Sequence, residues 1–477
     1  MSSASFSRRS ALAFGAGGLF SAILSGCTSQ RKIPENKPTK STSPSPAPTS
    51  PPTAAPVMTA SDFGVVGNGI TDDAQALQAL LNAAAKAGAS IVLGAKTRIR
   101  VGRTIAVPSN TRLNGNGATL ANSTSGKGGR IFLLRHVNNI SIENLNFDGE
   151  KAAFNSPTEH RHNLVLAGAI NVTLNQIHSY NAKGDGLYIG DQTNGPSINV
   201  VVTNSVFEQN HRQGMSVTCV SGLTVTNCGF RSSAGTAPEA GVDIEPNTDN
   251  SVIERIAFQS CTFMNNLGPG LLVALRSSPS VRQEAGTYTD CSFVQNWDSG
   301  VILNNSRGAH FYTGEMSRNG LDGMTIRSAV NTSVDSMVLT ANARCGVRAS
   351  GSYSMLTISR SVLDSNGPGA SSTYFGIDSS PSAGREGVQL QVTETTYQNM
   401  HGGLRTNAAS SYVSLAKNRY TNLAVNRVLA DASVTRSDQD NPSPRPQLTV
   451  AGPSSTKATI GSTPALFGQI ELAQEQR

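Results

Sequence analysis

Nine times between residues 186 and 403 the chain repeats a glycine followed by alternating apolar residues: GLYIG at 186, GMSVT at 214, GVDIE at 241, GLLVA at 270, GVILN at 300, GMTIR at 323, GVRAS at 346, GIDSS at 376 and GLRTN at 403. The intervals are 28, 27, 29, 30, 23, 23, 30 and 27 residues. A unit this short, with one brief strand, cannot bury its apolar side chains by itself. It must stack on its neighbours, which makes the chain a solenoid. Composition points the same way, since 46 of the 477 residues are Gly and only 14% are charged, a balance that favours turns and short strands over long helices.

A second column sets the phase of each coil. The segments TNSVF (203–207), TNCGF (226–230), QSCTF (259–263) and TDCSF (289–293) place Phe207, Phe230, Phe263 and Phe293 at one position. Three residues past that column Asn recurs, as Asn181, Asn210, Asn266, Asn296 and Asn319. Stacked amides at one turn can hydrogen-bond from coil to coil and accept left-handed backbone, so their expected role is structural. Cys228, Cys261 and Cys291 share a further column. No His or acid follows their spacing, so they read as small buried residues and not as a metal site.

Residues 61–88, SDFGVVGNGITDDAQALQALLNAAAKAG, open with a Gly-rich turn and continue as a helix. Thr71, Asp72 and Asp73 suit its cap and first turn, Ala74, Leu77, Leu81 and Ala84 form an apolar stripe, and Gly88 ends it. Such a helix covers the open end of a solenoid, whose unpaired edge would invite aggregation. This segment, the following IVLGAKTRIRVGRTIAVPSNTRLNGNG and the later coils together resemble the pectate lyase superfamily, which contains polygalacturonase-like and rhamnogalacturonase-like enzymes, alginate epimerases and phage tailspikes. The resemblance runs over roughly residues 58–430. It implies an all-β, right-handed parallel β-helix with an N-terminal capping helix. The matching motif is a cap without chemistry, so it does not choose a reaction. The tailspikes add a homotrimer to the assemblies that the resemblance implies.

The N-terminal SRRSALAFGAGGLFSAILSGC carries Arg8 and Arg9, an apolar run and then Leu24-Ser25-Gly26-Cys27. It resembles a bacterial twin-arginine signal ending in a lipobox, which implies lipidation at Cys27 and an extracytoplasmic body anchored to a bacterial membrane. The expected organisation is a signal peptide at 1–26, a lipidated Cys27 with a Pro/Ser/Thr-rich linker to residue 57, a β-helix domain at 58–437 and a loose tail at 438–477. Loss of residues 1–26 removes Arg8 and Arg9 and no acid, so the formal charge falls from +7 to +5. That mild basic bias suits an acidic polysaccharide. No dense Lys/Arg run suggests nucleic acid, and no nucleotide, metal or other cofactor motif is visible.

Within each strand the first and third residues after the glycine are apolar and should point inward, which turns the second and fourth to solvent. The strand at 241 then presents two carboxylates, Asp243 and Glu245, side by side on one face. Their Cα atoms should be roughly 6.5–7 Å apart, which suits an acid and a base with room for a water between them. Ser216 and Tyr188 fall one and two coils upstream on the same face, with Lys183, Asp185, His211 and Arg212 on the turns leading into it. The turn before Gly241 is longer than most, eight residues from Ser233 against four in most other coils, and should bring Glu239 beside the pair.

Polygalacturonase-like hydrolases carry an Asp before the strand glycine, another two residues after it, an Asp pair on the next coil and a His on a later one. Here Asp243 matches the second position, while Ala240, Gly268-Pro269-Gly270 and Ser299-Gly300 occupy the others. Alginate epimerases carry a Gly-aromatic-Asp-Pro-His segment, in which Asp243 matches the Asp and Glu245 replaces the His. The expectation is therefore a polysaccharide-active enzyme. For glycoside hydrolysis Glu245 would be the proton donor, Asp243 the base, Tyr188 a sugar-stacking platform, and His211 or Arg212 would position an acidic group; the acid and base could be exchanged. In lyase or C5-epimerase chemistry on uronic acids, Lys183, His211 or Tyr188 would matter most. A glycan-binding surface module without catalysis is the third reading.

Overall fold

The structure, a computed structural model, describes residues 56–123, 129–154, 160–190, 195–368, 374–379, 389–406 and 412–424, with three short strands beyond, Val428–Ala430, Val434–Arg436 and Leu448–Val450. The twin-arginine and lipobox residues, Cys27 and the linker to residue 55 lie outside them. The described chain is an all-β parallel solenoid. Parallel pairing persists into the expected tail, where Leu448–Val450 lies beside Val428–Ala430.

Each full coil contributes to three columns of strands. One contains Leu187–Ile189, Met215–Val217, Val242–Ile244, Leu271–Ala274 and Val301–Asn304, with Met215 paired to Leu187 and Val242. The second contains Ser197–Thr203, Val220–Thr226 and Ile253–Gln259. The third contains Val206–Glu208, Gly229–Arg231 and Thr262–Met264, where Phe207 meets Phe230 and Phe230 meets Phe263. The Phe column stacks inside the solenoid with centroids 5.3, 5.3 and 4.6 Å apart along Phe207, Phe230, Phe263 and Phe293. Burying each ring contributes on the order of 2 kcal/mol, and no coil could do this alone.

The recurring glycines are required by crowding between coils. A Cβ on Gly241 would lie 2.6 Å from the Gly270 carbonyl oxygen and 2.9 Å from Asn266 Nδ2, and one on Gly270 would lie 2.8 Å from the Gly300 carbonyl. The same contact runs from Gly186 through Gly376 to Gly403. A side chain here must push coils apart, because its neighbour is backbone and cannot rotate away. Replacing Gly241 with Ala should therefore lower stability by about 2–3 kcal/mol, as read by denaturant unfolding.

Beside the glycines runs the Asn spine. Asn266 Nδ2 donates to Asn296 Oδ1 at 2.9 Å, Asn296 to Asn319 at 3.1 Å, Asn319 to Asn342 at 2.9 Å and Asn342 to Asn366 at 2.8 Å. The left-handed residue is the one before each amide, such as Gln209, Asn265, Gln295 and Arg318. Asn181 therefore does not belong to the spine as expected. It has φ 53° itself, and the buried Ala182 stands at the spine position, its amide donating to Asn210 Oδ1 at 2.9 Å. The Cys column is buried, each thiol donating to a backbone carbonyl, and the contact with the Cys261 sulfur, followed by burial, pushes the Cys228 and Cys291 thiols up.

The capping helix spans Ala74–Ala87 and buries Ala74, Leu77, Leu80, Leu81 and Ala84; Gly88 ends it at φ 64°. Its N-terminus differs from a simple cap. Asp73 accepts from the amides of Val66 and Gly67, at 2.8 and 2.9 Å, tying the Gly-rich turn to the helix, while Asp72 accepts from Ala74 and Gly102.

Candidate active site

The Val242–Ile244 strand points Val242 and Ile244 into the core and Asp243 outward, as alternation requires, with Glu245 following at the strand end. Outward does not mean wet, however, and the expectation of solvent exposure fails for part of this column. Asp243 is only 4% exposed and Ser216 is equally covered, whereas Glu245 is exposed. Ser216 and Asp243 are short, and Gln213, from the turn before Met215–Val217, reaches to Asp243. Gln213 Nε2 donates to Asp243 Oδ2 at 3.3 Å, and the Tyr188 hydroxyl reaches Thr218 Oγ1 at 3.0 Å. Asp378, in the same column farther along, is likewise buried and paired with Arg405.

Burial pushes the Asp243 carboxyl well above the ordinary carboxylate value, and the negative charges of Glu245 and Asp185 push it further. The nearby Arg212 charge and the Gln213 hydrogen bond oppose this without reversing it. Asp243 thus holds its proton where free carboxylates have lost theirs. Its Oδ1 is buried without a hydrogen-bond partner, as are Gln213 Oε1 and Ser216 Oγ, which belong to the adjoining coil. Unpaired buried polar atoms are costly, and a cluster of them is what a polar ligand would satisfy.

Sequence reading missed the group beneath this cluster. His162 is 3% exposed, and its ring stacks on Tyr188 with centroids 4.8 Å apart and planes 19° apart. Its Nδ1 lies 3.1 Å from both the Asp185 amide nitrogen and Asp185 Oδ2. That nitrogen accepts the hydrogen bond of the Asp185 backbone amide, which holds the ring against the start of the Leu187–Ile189 strand.

Tyr188 is therefore not the open platform expected for it. One ring face is covered by His162, and its hydroxyl accepts from Asn247 Nδ2 at 3.2 Å in addition to meeting Thr218. Asp185 is wholly enclosed and cannot touch a substrate. It pairs with His162, lies 3.9 Å from Arg212 Nη1, and accepts from the Gln213 amide at 3.4 Å, so it acts on Asp243 through charge. Glu239 does not point at the carboxylate pair. It accepts from the Gly235 amide at 2.6 Å and closes its own turn.

That longer turn folds against His211. The Thr236 amide donates to the His211 carbonyl at 2.8 Å, and a Cβ on Gly235 would lie 2.0 Å from His211 Nδ1. Burial lowers the His211 pKa and the positive charges of Lys183 and Lys151 lower it further, so three basic side chains crowd the turn leading into the Asp243 face. Lys151, which sequence reading also missed, donates to the Gln209 carbonyl. Among the described residues no three His, Cys, Asp or Glu side chains converge as a metal-ligand set.

The family model for a right handed beta helix region matches residues 248–379. The solved structures that resemble this chain include the A-modules of two mannuronan C-5 epimerases of Azotobacter vinelandii. AlgE4 matches at 14% identity and TM-score 0.54, covering 80% of this chain and 98% of that one. AlgE6 matches at 16% identity and TM-score 0.52, covering 80% and 100%. The Streptococcus pneumoniae surface protein and adhesin PfbA matches at 17% identity and TM-score 0.51, again over 80% and 100%. At such identities the shared property is the fold, and this chain is a right-handed β-helix protein. No curated protein matches it by sequence.

Proposed function

We propose that the chain is a polysaccharide-acting enzyme of the pectate lyase superfamily type, lipid-anchored at Cys27 outside the cytoplasm, that hydrolyses glycosidic bonds at the Asp243 face. The observation that carries this is the buried Asp243 carboxyl, its pKa pushed up by burial and neighbouring charge, beside the exposed Glu245 at the end of the same strand. A buried carboxyl pushed toward its protonated form, next to a carboxyl open to water, is the pairing that acid–base cleavage of a glycoside needs. The roles are the exchange of the first sequence assignment. Asp243 donates the proton to the leaving oxygen, and Glu245, open to solvent, activates water. Lys151, Lys183 and His211 on the adjoining turn suit a substrate that carries carboxylates or sulfates.

A second reading rests on Arg212 and Tyr188. Arg212 acts electrostatically on the protonated Asp243, and the two together could neutralise a uronate carboxylate, with Tyr188 taking or giving the proton at the neighbouring carbon. Elimination or C5 epimerisation would follow. The mannuronan C-5 epimerases with this fold make that chemistry a natural alternative, and the adhesin makes binding without turnover another.

Incubation with acidic and neutral polysaccharides in deuterated water separates these readings. New reducing ends without ultraviolet absorbance mean hydrolysis, absorbance from an unsaturated sugar means a lyase, and deuterium at the sugar carbon without cleavage means an epimerase. For hydrolysis, Glu245→Gln should lower kcat about 100-fold or more, whereas elimination should continue near the wild-type rate. A bound glycan left chemically unchanged would sink the enzyme reading.

A further inference from the structure

The turn that carries Lys183 and His211 continues as a column along the solenoid. Backbone hydrogen bonds define it: Leu267 donates to the Ser233 carbonyl at 3.0 Å, Trp297 to Asn266 at 2.9 Å, Gly320 to Asn296 at 2.7 Å and Ala343 to Asn319 at 2.9 Å. Trp297 is the one tryptophan of the chain, and it is 61% exposed. Leu267, one coil before it, is 42% exposed. Tryptophan is on average well buried, and nothing in the coil requires one here, because Gly320 and Ala343 fill the same place in the next two coils. No large side chain stands at this place in those two coils. The backbone beneath it is fixed, since a Cβ on Gly320 would lie 2.2 Å from the Trp297 carbonyl oxygen.

The indole also stands in register with the candidate site. The strand that Trp297 precedes, Val301–Asn304, lies two coils beyond the Asp243 strand, through Leu271–Ala274. Two coil spacings are about 10 Å along the axis, close to the length of a disaccharide. An aromatic face presented on a rigid turn offers the C–H face of a pyranose ring a large apolar contact with little entropy to lose.

We infer that Trp297, flanked by Leu267, is a sugar-stacking subsite that grips a polysaccharide chain two coils downstream of the Asp243 face, with Lys183 and His211 engaging acidic groups at the upstream end. This rests on the reading of the chain as glycan-acting, and it adds a direction: the substrate lies along the solenoid axis.

Because the chain has a single tryptophan, emission excited on the long-wavelength edge, where the nine tyrosines absorb little, reports this position alone. Purified full-length wild type and the Asp243→Asn variant would be titrated with short and long oligouronates, and with cello-oligosaccharides as the neutral set. The expected result is a saturable emission change with sugars long enough to span from Asp243 to Trp297. Trp297→Ala, followed by calorimetry, should bind about tenfold more weakly, with Trp297→Phe between the two. Binding that moves the emission without any turnover supports the subsite and removes the enzyme reading. Turnover with unchanged emission and an unchanged KM in Trp297→Ala overturns the subsite and leaves the enzyme reading standing. Emission that ignores every sugar overturns it as well, as does emission that follows protein concentration instead, which would assign the indole to contact between copies of the chain.

Discussion

Replacing Asp243 with Asn is expected to lower kcat for polysaccharide hydrolysis by about a thousandfold while leaving the fold intact and, above mildly acidic pH, making it more stable than wild type. The loss of rate follows because the amide cannot donate a proton to a leaving oxygen. The gain in stability follows from linkage. In the folded protein the Asp243 carboxyl titrates well above its ordinary value of 3.8, chiefly because it is buried. Below that ordinary value both folded and unfolded chains hold the proton, and Asp243 adds no pH-dependent cost. As pH rises past it the unfolded chain releases the proton first, so wild-type stability falls until the folded carboxyl also ionises. Asn has no proton to release and lacks this loss. Thermal melts of both proteins from acid to neutral pH should therefore diverge, with the variant ahead at the higher pH. Parallel melts would mean that Asp243 is ionised in the folded state, and the proton-donor role would fall with its premise.

The largest stability effect is expected at the Asn spine. Asn296 accepts from the Asn266 amide and side chain, at 3.2 and 2.9 Å, and donates through Nδ2 to the Phe263 carbonyl and to Asn319 Oδ1, both at 3.1 Å. All of this is buried. Asn296→Leu keeps roughly the volume and removes every one of these bonds, leaving the buried Asn266 backbone amide without its partner and one Asn266 side-chain N–H without its acceptor. At about 1–3 kcal/mol for each stranded group, the expected loss is about 3–5 kcal/mol. Because coils in a solenoid contact only their neighbours, the damage should be local. Hydrogen exchange should accelerate most between residues 263 and 319 while the capping helix stays protected. Uniform acceleration throughout the chain would show that the solenoid unfolds as one unit and that the spine is not a set of separable joints.

The repeat was legible because it obeys rules that act at every coil. Glycines recur where backbones nearly touch, and Phe and small residues recur where the interior needs filling, so nine glycines and four Phe residues were enough to phase the solenoid. Function does not repeat, and that is where reading failed. Asp243 was rightly placed on the outward face but wrongly exposed, because alternation assigns a side without saying whether a neighbour such as Gln213 will reach over it. His162 escaped notice because its coil has Asn163 where the others have Gly. The register pairs Leu164 with Leu187, and aligning HNLVL with DGLYI would have put His162 directly above Asp185. Trp297 was passed over because turn positions follow no hydrophobic period, and only the backbone bonds between coils show that it shares a column with His211.

The joints between coils also make the length of the molecule adjustable in whole steps. From the Asn266 coil to the Asn366 coil each meets the next through the same glycine contact and spine amide, so a coil duplicated within that stretch brings its own matching surfaces and disturbs only the seams it creates. An extra coil between the Asp243 and Trp297 coils would lengthen the span between them by about 4.8 Å and leave the local chemistry of both unchanged. The solenoid is in this sense a ruler with coil-sized divisions. The length of sugar chain it measures can change by duplication or deletion, without redesign of the residues at either mark.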